Sequence, residues 1–116
     1  IGLHYARDTH TITLNWRTDA PPAKDYTIFV HALAADGTIL DQVDGAPYEN
    51  LYPTSAWRPQ QVIEDKRPLP KLAQQAGQLR RLAIGVYDPV SGERLPATDE
   101  KGQPLPDNAL IVDVTK

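Results

Sequence analysis

The sequence predicts an all-β protein, an immunoglobulin-like antiparallel β-sandwich of about seven strands. Apolar and polar residues alternate with a period of two over short windows, which is the pattern of half-buried strands. The 116 residues include 11 prolines and 7 glycines, so few uninterrupted windows are long enough for a helix. Turn-forming residues separate the apolar windows, as they do in two-sheet sandwiches. A small closed barrel is the alternative architecture.

About seven segments are predicted as strands, each bounded by glycine, proline or a polar loop. They are HTITLNW (10–16), YTIFVHAL (26–33), TILDQVD (38–44), VIEDKRPL (62–69), QLRRLAIGVYD (78–88), a strand following the turn in DPVSGERL (88–95), and NALIVDV (108–114).

The first three strands are justified by their side-chain patterns. Ile12, Leu14 and Trp16 share one face of the first, and polar residues share the other, as in a strand with one solvated face. The second is apolar on both faces and is predicted to be central. Asp36 and Gly37 tolerate the positive φ angles of a type I′ turn, so the third strand is predicted to return as its hairpin partner.

The later segments carry turn and edge signals. The charges of the fourth strand and its Pro68 place it at a sheet edge. PKLAQQAG is predicted to hold one helical turn that stops at Gly77, and Pro89 and Gly92 are placed to make a tight turn. The core-facing residues predicted for the last two strong strands are Leu82, Ile84, Val86, Leu110, Val112 and Val114.

Composition excludes several classes of function. With 12 basic and 15 acidic residues, the formal net charge of −3 argues against a nucleic-acid footprint. There is no cysteine, hence no disulfide, thiolate nucleophile or cysteine metal site. No run approaches the length of a membrane-spanning helix. Because the chain starts at Ile1 and lacks methionine, we expect residues 1–116 to be a single domain excised from a longer protein.

His31 is the first candidate for chemistry because it lies inside a predicted apolar strand, on the face of Phe29 and Leu33. A metal site normally needs three or more ligands, and His4 and His10 show no short ligand spacing to His31. We therefore expect no metal or other cofactor. We interpret His31 as a structural residue that bonds a backbone carbonyl or an acidic side chain across the sheets.

The acidic residues are the second candidates. Asp41, Asp44, Glu64 and Asp65 are close in sequence, but Glu64 and Asp65 are strand neighbours that point to opposite faces and cannot form a glycosidase pair. A solvated edge is the favoured interpretation. Calcium bound by loop carboxylates stays open, without an EF-hand pattern. No G-x-S-x-G elbow or phosphate-binding glycine loop is present.

The long loop GAPYENLYPTSAWRPQQ (45–61) holds the candidate ligand-binding residues. Aromatic rings beside hydrogen-bonding side chains bind sugars in many β-sandwich modules, because a ring takes the apolar face of a pyranose. The alternative, which we favour, is that the tryptophan folds back over the open end of the sandwich and stabilises it by burial. The candidate residues are Trp57, Tyr48, Tyr52, Arg58 and Asn50.

Four segments together resemble a known family: TLNW (13–16), DYTIFVHALAADGTILDQVDGAPY (25–48), YPTSAWRP (52–59) and IGVYDPVSGERLP (84–96). The family is a soluble β-sandwich domain at the C-terminal end of bacterial, Chloroflexi-type membrane proteins similar to dolichyl-phosphate-mannose glycosyltransferases. The chain departs from the family pattern at residues 59–61 and 77–79, where it has Pro-Gln-Gln and Gly-Gln-Leu.

The resemblance implies a non-catalytic accessory domain on the extracytoplasmic face of the membrane, anchored through its parent and not itself inserted. The chemistry of such parents is expected in the membrane-embedded part. The implied partners are a glycan or the membrane part of the parent chain. Two alternatives stay open: a carbohydrate-binding module that uses the loop aromatics, and a small hydrolase assembled from distant residues.

Overall fold

The computed structural model of the chain describes residues 2–6, 10–18, 22, 24–47, 51–99 and 101–114. Within these ranges the chain forms seven strands. They are β1 (Gly2–Ala6), β2 (Thr11–Trp16), β3 (Thr27–Leu33), β4 (Ile39–Gly45), β5 (Ile63–Pro68), β6 (Arg81–Tyr87) and β7 (Leu110–Asp113).

The strands form two separate sheets, one in the order β1-β2-β5 and the other in the order β4-β3-β6-β7. Every strand pairing is antiparallel. In immunoglobulin lettering, this places strands A, B and E opposite strands C′, C, F and G. The predicted immunoglobulin-like sandwich is confirmed, and the described strands do not close into the alternative barrel.

One predicted strand is wrong. After the turn at residues 88–92 the predicted segment pairs with the end of β6 through one isolated β-bridge, between Tyr87 and Arg94. Pro96 follows at once, and proline cannot donate to a sheet ladder, so the chain leaves the sheet there. The seventh strand is instead β1, whose five residues pair with β2 from Gly2↔Asn15 to Ala6↔Thr11.

The core between the sheets follows the period of two that the sequence predicts. On β3 and β6 the inward positions are filled by aliphatic side chains, while their sequence neighbours point outward. Two 3-10 helices, Pro70–Gln74 and Ala76–Gln78, replace the predicted helical turn and close one end of the core. The largest core cluster contains Ile12, Leu14, Val30, Ala32, Leu40, Leu69, Leu72, Leu79, Leu82 and Ile84. No described helix is long and apolar enough to cross a membrane.

The solvated edge predicted for the acidic residues is wrong for two of them. Alternation along β5 puts Glu64 outside and Asp65 inside, where only 1% of Asp65 is exposed. Trp16 Nε1 donates to Asp65 Oδ2 at 3.0 Å, and Arg67 Nε donates to the same oxygen at 2.9 Å. Asp41 is also buried, and its carboxylate accepts the backbone N–H of Lys71 at 3.0 Å.

Arg67 connects the two sheets. Its Nη2 donates to the carbonyl of Gly45 at 2.7 Å, and its Nη1 lies 3.3 Å from the carbonyls of both Ile28 and Val43. Those three carbonyls belong to β3 and β4 of the opposite sheet. The charge is therefore buried only because Asp65 and three backbone carbonyls satisfy it together.

The two predicted turns form, one with a different geometry. Gly92 adopts a φ of +77° and closes the turn by donating to Asp88 O at 2.7 Å, as expected. The β3–β4 hairpin has a positive φ at Gly37 but not at Asp36. Gly37 N donates to Ala34 O and Ala34 N to Thr38 O, so the connection is a type I turn with a glycine bulge, not the predicted type I′ turn.

Candidate functional site

The loop with the candidate sugar-binding residues is anchored to the core by its tryptophan. Trp57 is only 6% exposed and packs with Ile28 and Ile63 in the core. Its ring centroid lies 6.1 Å from that of Trp16, and its Nε1 donates to the carbonyl of Tyr52 at 3.2 Å. In this position the indole stabilises the fold by burial and has no open face on which a pyranose can stack.

Two other predicted loop residues lie beside it. Tyr52 is half-buried, and its hydroxyl donates to Gln61 Oε1 at 2.7 Å. The same oxygen accepts the backbone N–H of Arg58 at 3.3 Å, while the Arg58 side chain is exposed. The structure thus brings Tyr52, Trp57 and Arg58 together in a packed loop, which favours the packing interpretation. Tyr48 and Asn50 lie outside the described residues.

A second group of side chains lies on the outer face of the four-stranded sheet. Register places Asp44 opposite Phe29, and Gln42 opposite His31, across β3 and β4. Tyr87 ends β6 and bridges to Arg94. These residues line one depression of about 330 Å³. We call the polar members the outer-face cluster: His31, Gln42, Asp44, Tyr87 and Arg94.

Phe29 forms the floor of this depression and is 1% exposed. It lies opposite Gly85 on β6, where a Cβ atom would come 2.4 Å from Cε2 and Cζ of the ring, so position 85 must be glycine for the ring to fit. The guanidinium carbon of Arg94 lies over the ring, 4.4 Å from its centroid, in a cation–π contact. Arg94 Nη1 donates to the carbonyl of Asp107 at 2.9 Å, which holds the side chain in place.

Asp44 lies between His31 and Tyr87 without a short hydrogen bond to either. His31 Nε2 is 3.8 Å from Asp44 Oδ1, and the Tyr87 hydroxyl is 3.5 Å from Asp44 Oδ2. A good O–H···O bond is about 2.7–2.8 Å long. The carboxylate can therefore accept further hydrogen bonds. The side-chain amide of Gln42 makes no hydrogen bond within the described part of the chain.

The charges of the outer-face cluster balance at neutral pH. Partial burial lowers the pKa of His31 below its ordinary value of about 6.5; Asp44 opposes this shift and Arg94 adds to it. His31 is therefore neutral at pH 7, with one ring nitrogen donating and the other accepting. Asp44 and Arg94 carry opposite charges, so the cluster has no net formal charge.

The hydrogen bond predicted for His31 across the sheets is not present among the described residues. The acidic side chain beside it, Asp44, belongs to the neighbouring strand of the same sheet and lies 3.8 Å from His31 Nε2. Val30 and Ala32 point into the core, so His31 between them must point outward and cannot reach across the sandwich. Among the described residues, no three His, Cys, Asp or Glu side chains are grouped closely enough to hold a metal ion.

Sequence reasoning missed most of the outer-face cluster. Gln42, Tyr87 and Arg94 were not candidates, because each stands in a segment dominated by a strand or turn signal. A signal was available in the segments FVH and IGVYDPVSGERLP, which contribute His31, Tyr87 and Arg94. Their convergence depends on the pairing of β3 with β4 and β6, and local patterns do not reveal that register.

Comparison with known proteins finds no matching family model, no matching curated protein and no matching solved structure. The family resemblance of the four sequence segments therefore stays a prediction, and the functional inference rests on the fold and the outer-face cluster.

Proposed function

We propose that this chain is a non-catalytic accessory domain that recognises its ligand with the outer-face cluster. The domain belongs, in this proposal, to a membrane-anchored, glycosyltransferase-like parent and lies on the extracytoplasmic side, as the sequence resemblance implies. Its partner is a glycan or a surface of the parent's own membrane part. The net charge of −3 makes a nucleic acid the least suitable partner.

The observation that carries the proposal is a set of unused hydrogen-bonding groups on a rigid surface. Asp44 makes only long contacts, and Gln42 has no side-chain hydrogen bond among the described residues. Both side chains project from β4, whose backbone is fixed by pairing with β3. Binding pockets combine apolar contacts with a few polar groups that fix the ligand's orientation, and the half-buried ring of Tyr87 supplies the apolar contact here.

The outer-face cluster is better suited to binding a ligand than to catalysing its hydrolysis. Asp44 is the only carboxylate among the described residues that line the depression. Glycosidases use two carboxyl groups, about 5–10 Å apart, one on each side of the scissile bond. The alternative hydrolase would therefore have to recruit its second acid from outside this surface.

A nuclear magnetic resonance screen tests the proposal without presuming the ligand. The ¹⁵N-labelled chain is mixed in turn with sugars, short peptides, nucleotides and lipid head groups, and amide shift changes are mapped. We expect at least one class to shift amides of β3, β4 and β6, and we expect no compound to be converted. Silence from every class, or turnover of any compound, would contradict the proposal.

Two substitutions localise the binding. Gln42→Ala removes an exposed cluster side chain that supports nothing else, so binding should weaken while stability stays within about 0.5 kcal/mol. Gln74→Ala is the matched control, because Gln74 is exposed on the 3-10 helix Pro70–Gln74, away from the depression. Equal binding by both variants, with shifts confined to the loop around Trp57, would favour the loop-aromatic module instead.

The membrane context needs a separate measurement on the native, full-length protein. We expect it to sediment with membranes and the domain to be cleaved by protease added outside intact cells. Protection from external protease would contradict the extracytoplasmic placement and would leave the binding surface unaffected.

A further inference from the structure

The outer-face cluster also indicates the chemical class of its ligand, provided that the proposed recognition surface is correct. Its hydrogen-bonding groups include both donors and acceptors. Arg94 has guanidinium N–H groups beyond the one bonded to Asp107, and Gln42 offers an amide N–H₂ and an amide oxygen. Asp44 accepts only, and the Tyr87 hydroxyl and the neutral His31 ring each do both.

The charges of Asp44 and Arg94 narrow the choice of ligand class. Asp44 and Arg94 line the same depression, so the attraction that a charged ligand gains from one of them is offset by repulsion from the other. Such a ligand gains no net attraction to compensate for the desolvation of its charge, whereas an uncharged ligand has no such cost. Hydroxyl groups both donate and accept hydrogen bonds, so a polyol can satisfy a carboxylate, a guanidinium and an amide at once.

The spacing of the groups supports the same class. The contacts of Asp44 with His31 and Tyr87, at 3.8 and 3.5 Å, leave both carboxylate oxygens able to accept bonds from two neighbouring hydroxyls. The half-buried ring of Tyr87 stands at the side of the depression and offers the apolar contact that the buried Phe29 cannot. A volume of about 330 Å³ is at the small end of ligand pockets, which suits one or two sugar rings.

We propose that the outer-face cluster binds an uncharged polyhydroxylated ligand, a neutral sugar unit of a glycan, whose adjacent hydroxyls donate to Asp44 and whose ring oxygens accept from Arg94 and Gln42. The site discriminates against sugars that carry a carboxylate or an ammonium group.

Three probes of similar size test the charge discrimination: methyl glucoside, which is neutral, methyl glucuronide, which is anionic, and glucosamine, which is cationic. Each is titrated into the ¹⁵N-labelled chain, and dissociation constants are taken from amide shifts. The glucoside should shift amides of β3, β4 and β6. The charged sugars should bind about threefold to fivefold more weakly, because the desolvation of their charge is not compensated by a net attraction.

Asp44→Asn separates the two parts of the proposal. The substitution preserves the shape of the side chain but removes its charge and one acceptor oxygen. It should weaken glucoside binding and narrow or reverse the disadvantage of the glucuronide, because Arg94 then attracts the carboxylate of that sugar without opposition from Asp44. Gln74→Ala should match the unmodified chain with all three sugars.

Glucuronide or glucosamine binding as tight as glucoside binding would overturn the inference, as would the absence of any glucoside shift at the depression. If a peptide, nucleotide or head group then shifts the amide resonances of β3, β4 and β6, the proposed recognition surface is correct and only the assignment of a polyol ligand is wrong. If no class shifts these resonances, both proposals are wrong.

Discussion

Replacing Arg67 with methionine should destabilise the domain severely, because it removes the group that joins the sheets. Methionine keeps much of the apolar stem but leaves Asp65, 1% exposed, as a buried charge bonded only to Trp16 Nε1. It also removes the donors to the carbonyls of Ile28, Val43 and Gly45. Breaking a buried ion pair from one side costs about 3–5 kcal/mol.

This loss is a large part of the free energy of unfolding of a domain of this size, which is about 5–15 kcal/mol. At about 4 °C per kcal/mol, the melting temperature should fall by about 12–20 °C. Urea denaturation followed by tryptophan fluorescence and circular dichroism gives the free energy directly. Trp16 contacts the ion pair, so its emission reports on the site as well as on global unfolding.

The same strand supplies a matched control. Lys66 and Glu64 form an ion pair with the same two-residue spacing on the outer face of β5, at 3.5 Å, with side chains 66% and 61% exposed. Lys66→Met should change stability by no more than about 0.5 kcal/mol, because exposed ion pairs contribute little. Equal effects of Arg67→Met and Lys66→Met would refute the reasoning.

A double variant tests whether the loss of stability comes from the buried Asp65 carboxylate that Arg67→Met leaves without its ion-pair partner. Adding Asp65→Asn to Arg67→Met removes the uncompensated charge, so the double variant should be more stable than the sum of the two single effects, by about 1–3 kcal/mol. Strict additivity would mean that the two side chains act independently in the core.

Three further predictions concern single positions. Gly85→Ala places a Cβ 2.4 Å from an aromatic ring and should cost about 1–3 kcal/mol in urea denaturation; Gly77→Ala, with no atom within 4 Å, should change stability by less than about 1 kcal/mol. Trp57→Ala should cost about 3–5 kcal/mol, as expected of a core residue, whereas a sugar platform would lose binding without unfolding. Asp44→Asn should lower the pKa of His31 further in an NMR titration, since Asp44 raises it. The folded pKa of His31 lies below its unfolded value, so the unfolded chain binds more protons between the two, and stability should fall as the pH drops from about 6.5 toward the folded value. A His31 pKa that rises in the Asp44→Asn variant would contradict the assignment.

Alternation along the chain was enough to predict most of the fold. Ile12 and Leu14 on β2, and Leu82 and Ile84 on β6, are core residues as predicted, because the period of two is a direct consequence of strand geometry. β1 was not predicted, because this five-residue edge strand is formed by its pairing with β2. Local pattern carries no information about that pairing.

The buried charges show why the sites were harder to predict than the fold. Asp65 and Arg67 occupy inward positions, as the alternation along β5 requires. The sequence nevertheless predicted a solvated edge, because charged residues in a short segment with a proline are typical of an edge strand. What makes their burial tolerable is the set of acceptors on β3 and β4, which are 22 to 39 residues away along the chain. The outer-face cluster is assembled in the same way, from β3, β4, β6 and Arg94.

Trp57 gives the complementary case. The sequence of its loop is compatible with a ring that stacks on a sugar and with a ring that is buried in the core. Both need a large aromatic side chain held by a rigid, proline-rich segment. Only the position of the ring relative to Ile28 and Ile63 separates the two, and that position places it in the core.

The most direct test of the recognition surface is a crystal structure of the chain bound to the tightest ligand from the four-class screen. The account predicts a ligand in the depression over Phe29, unmodified, with hydrogen bonds to Asp44 and to Gln42 or Arg94. A ligand seated on the 51–62 loop beside Trp57, with the outer face of the four-stranded sheet empty, would contradict it.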